Sequence, residues 1–176
     1  MQRAKWTDRK FTFDFPEGWM SNILERLRGT EIRIIYMINN LPEKDCEFKA
    51  DGGWSIKEHI GHLIDLEDLH EGRIDDFLER KDVLRAADMT NKKTHEADHN
   101  SRKLEELISD FFMQRKKFID RLEALDDETL KLSSLHPRLQ TPMRPVDVAF
   151  FTAEHDDHHL ADIRNILSKL SQRSSA

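Results

Sequence analysis

Four stretches of this chain repeat their apolar residues at intervals of three and four, and that rhythm prescribes helices. The first runs from about Trp19 to Leu41, carrying Met20, Ile23, Leu24, Leu27, Ile34, Ile35, Ile38 and Leu41, and Asn39-Asn40 with Pro42 end it. The second opens at Ser55, an N-cap with Glu58 three residues on as its capping-box partner. It continues to about Lys81 through Ile56, Ile60, Leu63, Leu66, Leu69, Ile74, Phe77 and Leu78. A third, with Ser101 as its cap, carries Leu104, Leu107, Ile108, Phe111, Phe118, Leu122 and Leu125. Pro145 suits the first turn of a fourth, which reaches about Leu170.

The intervening segments, 42–53, 82–100 and the stretch holding Ser133-Ser134-Leu135-His136-Pro137-Arg138, Pro142 and Pro145, are polar and turn-prone. Residues 1–17 read differently. Lys10-Phe11-Thr12-Phe13-Asp14-Phe15 alternates like an extended arm that lays phenylalanines on an apolar surface. The tail, residues 172–176, should fray. The expectation is an all-α fold, a four-helix bundle with long connecting loops and an extended N-terminal arm, forming one domain over residues 1–176.

Charged residues make up 35% of the chain and the net charge is −6, so no basic stripe is present to displace phosphate counterions, and nucleic acid is not an expected partner. No apolar run approaches the ~20 residues of a membrane span, and no secretory signal opens the chain. Cys46 is the one cysteine, so an internal disulfide and a cysteine-rich zinc site are excluded, and a reducing cytoplasm is the expected setting. Any metal must therefore be held by histidine and carboxylate.

Glu154-His155-Asp156-Asp157-His158-His159-Leu160 is where such a site would be built. On a helix His155 and His159 sit one turn apart, about 40° around the axis, so both imidazoles can address one ion. His159 lies close to the Ile163 and Ile166 side and points inward, His155 borders that arc, and His158 points toward solvent or the helix flank. Thr94-His95-Glu96-Ala97-Asp98-His99 repeats the spacing in a segment that reads as loop. On the second helix His62 lies on the flank of the apolar face, with His59 and His70 nearer its middle, and helical geometry leaves open which of the three meets the fourth helix.

Two segments carry a family resemblance. Trp54-Ser55-Ile56-Lys57-Glu58-His59-Ile60-Gly61-His62-Leu63 resembles the second-helix segment of the DinB-like superfamily of damage-inducible, metal-binding four-helix bundles. Glu154 through Ile163 is similar to the His-x-x-x-His segment of its fourth helix; Leu135-His136-Pro137-Arg138-Leu139 and Glu25-Arg26-Leu27-Arg28-Gly29-Thr30 extend the likeness over nearly the whole chain. The resemblance implies one divalent metal, nickel or zinc, held by a histidine triad of His62, His155 and His159. Asp162 departs from the pattern, standing where many members carry Gln, at a position that orients a ligand or lines the pocket.

Three neutral imidazoles leave a divalent ion an open position. The resemblance implies that the ion deprotonates a low-molecular-weight thiol, which attacks an electrophilic substrate, as in thiol S-transferases and isomerases using bacillithiol, mycothiol or glutathione. A non-catalytic metal-binding or stress-response protein and a hydrolase using bound water are the alternatives. Glu58 and Asp65, on the solvent side of the His62 helix, and Glu154 and Asp156 around His155 are candidates to orient a ligand or receive a proton, set against the ordinary solvation of surface acids. His158 is a candidate for a similar supporting role. His136, Arg138 and Arg144 precede the last helix, where an arginine over a pocket mouth suits the carboxylate of a thiol cofactor or substrate. A homodimer through a bundle face is a further expectation, with the arm as a contact.

Other chemistries fit poorly. The run Asp65, Glu67, Asp68, Glu71, Asp75, Asp76, Glu79 lacks paired Glu-x-x-His elements and reads as a solvated face. A serine hydrolase lacks its Gly-x-Ser-x-Gly elbow and a strand to carry it. Trp6, Trp19 and Trp54 read as core and staple residues.

Overall fold

The computed structural model of the protein describes residues 4–174. Its long helices are α1 (Met20–Ile38), the pair α2 (Ile56–Asp65) and α3 (Glu67–Leu78), α5 (Leu104–Glu123) and α7 (Pro145–Ser174). Two short helices, α4 (Lys92–Glu96) and α6 (Asp127–Leu130), and a hairpin of β1 (Ser134–His136) and β2 (Thr141–Met143) occupy the connections. These are the four rods of the expected bundle, because α2 and α3 run on through Leu66 as one interrupted rod. α1 packs mainly on α7 and α5, and the α2–α3 rod on α5 and α7, so the first two rods in sequence face each other across the bundle rather than side by side.

Local chemistry sets the helix starts. Ser55 Oγ accepts from the Glu58 amide at 3.1 Å while Glu58 Oε2 accepts from the Ser55 amide at 2.8 Å, closing the capping box that opens α2. Ser101 does not cap the third rod. It lies in a 3-10 turn with its hydroxyl on the Asp98 carbonyl, Arg102 and Lys103 are extended, and the Leu104 amide is satisfied by Glu43 at 3.0 Å. Helix ends move by a few residues from their expected places: α1 stops at Ile38, before Asn40 turns at φ 64°, and the second rod stops at Leu78. α7 continues to Ser174, so Gln172 and Arg173 are helical rather than frayed; Ser175, Ala176 and the first three residues of the arm lie outside the described residues. A hairpin also stands where no strand was expected.

Ile34, Ile60, Leu63, Phe111 and Ile163 lie in one apolar cluster; Leu27, Ile74, Phe118, Leu122 and Ala153 lie in a second. Burying such a side chain contributes about 1.5–3 kcal/mol. Between the two clusters each rod contributes one polar residue: Thr30 from α1, Glu67 from α3, Arg115 from α5 and Asp156 from α7, all buried. Arg115 donates to Glu67 at 2.8 Å and to both oxygens of Asp156, which also accepts from Thr30 at 2.8 Å. Glu67 and Asp156 are thus core residues, and Asp76 is buried against Arg85 and Lys81, correcting the reading of these acids as solvated. A residue type that favours solvent goes inside when a cation faces it across the bundle.

The arm lies along the bundle as an extended segment. Phe11, Phe13 and Trp6 pack on a third cluster that includes Phe77, Met143 and Phe151, and Phe15 packs on the second. Among the described residues no helix is long and apolar enough to cross a membrane.

Candidate metal centre

His62 on α2 and His155 and His159 on α7 converge so that one ring nitrogen of each lies within 4.8 Å of the others. Nε2 of His155 and Nε2 of His159 face each other at 3.1 Å. Ligands about 2.05 Å from a tetrahedral centre lie about 3.3 Å apart, so this spacing suits two nitrogens sharing one ion. Burial keeps the rings neutral: it pushes His62 down to about 4, against a modest opposing pull from Asp65, and holds His155 and His159 well below the usual imidazole range. Neutral imidazole is the form that coordinates a metal.

Two of the three rings are steered from behind, while Nδ1 of His155 is buried with no hydrogen-bond partner. Nδ1 of His62 lies 3.0 Å from Thr94 Oγ1, and that hydroxyl donates to Asp65 Oδ2 at 2.8 Å. Having one proton, the hydroxyl accepts from His62, which leaves the lone pair on Nε2. His99 Nε2 lies 2.8 Å from the same Asp65 oxygen. Despite burial, these hydrogen bonds hold the Asp65 carboxyl below the usual carboxylate range. Nδ1 of His159 sits 2.9 Å from Nδ1 of His59, and with His159 as the donor of that bond its Nε2 keeps the lone pair for the site. Trp54 covers the group, 4.7 Å from the His62 ring and stacked on His159 at 6.0 Å.

The remaining candidates divide. Asp65 is not on the solvent side; α4 and the turn at His99 fold over it and bury it. Glu58 belongs to the capping box and pairs with Lys49 at 2.6 Å, away from the cavity. His158 does not point to solvent but joins the cavity wall beside Trp6, with Nε2 3.7 Å from Asp162. Asp162 forms a second possible ligand group with His59 and His159. Glu154 pairs with Arg9 and Arg26. Arg144 anchors the arm through the Phe15 carbonyl and pairs with Asp147. Arg138 does line the cavity. His70 is buried on the same wall, with Thr152 at 3.5 Å.

A cavity of about 740 Å³ opens beside the triad. Its wall includes Trp6, Trp54, Arg73, Arg138, Phe151 and His158. Three parts of the site carry no signal of their role in the sequence. Thr94 lies in a polar segment whose local pattern says nothing of a partner 32 positions away. Trp6 and Trp54 were assigned to packing, yet they meet the histidines. The nearest signal for Trp54 is its place one residue before the capping box that starts the His62 helix.

The family model of the DinB superfamily matches residues 26–163. No curated protein sequence matches the chain. Among solved structures, YfiT from Bacillus subtilis, described as "a probable metal-dependent hydrolase with an unusual four-helix bundle topology", aligns with a TM-score of 0.73 over 93% of this chain and 94% of that one. The identity is 16%, so the likeness speaks to fold and not to activity.

Proposed function

This chain belongs to the DinB superfamily, and from that premise we propose that it binds one divalent metal, nickel or zinc, through His62, His155 and His159 and uses it as a thiol S-transferase. The observation that carries the reading is a three-histidine cluster, two of its rings held from behind by hydrogen bonds, with a large cavity on its open side. The donor set fits a borderline ion: three imidazoles, each held neutral by burial. A structural site is closed by four protein ligands, whereas three beside a cavity leave room for a small molecule. Bound there, the ion would supply Lewis acidity that draws a thiol or a water toward its anion near neutral pH.

The chain's own residues supply the rest. Thr94 and His59 fix the His62 and His159 rings. Trp54, Trp6 and Phe151 give the cavity apolar walls that limit water. His158 lines the cavity with its Nε2 3.7 Å from Asp162, within reach of a small molecule bound there. The nucleophile must come from outside. Cys46 is fully buried in the first apolar cluster, and burial pushes its thiol up to about 11.

A second reading, metal-dependent hydrolysis, draws on the printed description of YfiT. The two separate in one experiment. Nickel- or zinc-loaded protein is given an electrophile such as 1-chloro-2,4-dinitrobenzene with and without glutathione, cysteine or bacillithiol, and thiol consumption is followed. Turnover requiring both thiol and metal supports the transferase. Product release without thiol replaces it by the hydrolase, and no turnover with any thiol removes the transferase reading.

A further inference from the structure

We propose that the end of the cavity formed by Arg73, Arg138 and His136 is an oxyanion-binding subsite, taking the carboxylate or phosphate of a small molecule whose other end reaches the three histidines. The inference rests on the metal reading only for that other end.

Three side chains from two elements meet here, and all of them offer donors. Arg73 on α3 is 2% exposed. Its Nε and Nη2 share a single acceptor, the Arg85 carbonyl, at 3.3 Å each. Arg138, in the turn between β1 and β2, lays its guanidinium 5.7 Å from the Phe151 ring centre, and its Nη2 is buried with no hydrogen-bond partner. His136, on β1, is also 2% exposed. The Leu139 amide donates to its Nδ1 at 3.2 Å, so the proton of the neutral ring sits on Nε2, and that atom too is buried without a partner. Among the described residues neither Arg73 nor Arg138 forms an ion pair with a carboxylate.

The rest of the molecule does not treat buried cations this way. Arg115 lies between Glu67 and Asp156, and Lys57 reaches Glu43 and Glu47 at 2.9 Å each. Burying an N–H without a partner is unfavourable, so the two orphaned donors of Arg138 and His136, beside an Arg73 that no carboxylate bonds, point to an acceptor supplied by a ligand. The acids on the cavity wall do not fill that role. Asp88 accepts from Thr90 and from the Lys92 amide within its own turn, and Asp162 sits with His59 and His159. Burial lowers Arg138, and burial with repulsion from Arg138 and Arg85 lowers Arg73 to about 10 despite an opposing pull from Asp76, whose oxygens are bonded to Arg85 and Lys81. Guanidinium forks match the two oxygens of a carboxylate or phosphate.

The test uses two thiols that differ in charge, 3-mercaptopropionate and 3-mercaptopropionamide, titrated by ligand-observed NMR into metal-free and metal-loaded protein. The acid is expected to bind about tenfold tighter than the amide in both states. Arg138→Gln, in the half-buried turn between β1 and β2, should close that gap while leaving metal content unchanged. Inorganic phosphate is then added as a competitor: displacement of the acid assigns the subsite to either oxyanion, and failure to displace assigns it to carboxylate. Equal binding of acid and amide to the metal-free protein, or a gap that survives Arg138→Gln, overturns the proposal. Because the metal-free arm does not depend on an ion, it reads the subsite even if the histidines hold no metal.

Discussion

Thr94 sets which nitrogen of His62 faces the site: its hydroxyl accepts from Nδ1 at 3.0 Å because its own proton is given to Asp65. Two residues far apart in sequence thus fix a tautomer that the ring alone would leave free. Outer partners of this kind are worth about 10–100-fold in metal affinity. Thr94→Val, which keeps the shape and removes the hydroxyl, should weaken binding by that factor without changing the number of ions bound at saturation. Competition against a coloured chelator measures it. Unchanged affinity would remove Thr94 from the site.

Gly61 couples packing to the same relay. A Cβ there would run into the His99 ring, and His99 holds Asp65 at 2.8 Å. Gly61→Ala should therefore lower stability by about 1–3 kcal/mol as an overpacked contact. It should also weaken metal binding, since the displaced ring releases Asp65. A stability loss in urea with full metal affinity would separate the two roles.

The buried quartet across the bundle makes a different prediction. Arg115→Ala leaves Asp156 and Glu67 buried without their cation, a change that costs about 3–5 kcal/mol. Replacing Glu67, Arg115 and Asp156 together with apolar residues of similar size should recover most of that loss, because no charge is left uncompensated. Urea midpoints of the single and triple variants test this. A triple variant no better than Arg115→Ala would mean that the network holds the fold by more than charge balance.

Stability of the metal-free protein should fall with acid. Burial depresses five histidines: His62 and His136 to about 4, and His70, His155 and His159 well below the usual imidazole range. Between the unfolded value near 6.5 and about 4 the unfolded chain binds these protons and the folded chain does not, so stability present above that window is lost as pH falls through it. Glu67, whose carboxyl burial pushes up to about 7, works in the opposite direction, one proton against five. Urea midpoints at pH 7.5, 6 and 5 should decline in that order. A flat profile would mean that these rings are not buried neutral.

The parts of this molecule that depend on neighbours in sequence were legible before folding. The Ser55–Glu58 capping box, the Pro145 helix start and the one-turn spacing of His155 and His159 are all decided within four residues. What crosses the bundle was not. Helical geometry alone left His59, His62 and His70 level, because choosing among them requires the register of α2 on α7; His62 was singled out by family resemblance. Asp156 and Glu67 were misjudged for the same reason, since Arg115 lies on another rod. A trace was present: the apolar stripe of α5 skips the turn between Phe111 and Phe118, where Arg115 sits, and that of α7 skips the turn between Ala153 and Leu160, where Asp156 sits. Thr94 left no trace, because a polar residue in a polar connection carries no periodicity.

The most direct measurement is metal content by mass spectrometry on untagged protein, comparing wild type, His159→Ala and His158→Ala, with circular dichroism to show that all three are folded. About one divalent ion per chain is expected in wild type and in His158→Ala, and none in His159→Ala. No ion in wild type after reconstitution, or an ion kept by His159→Ala, would contradict the three-histidine site.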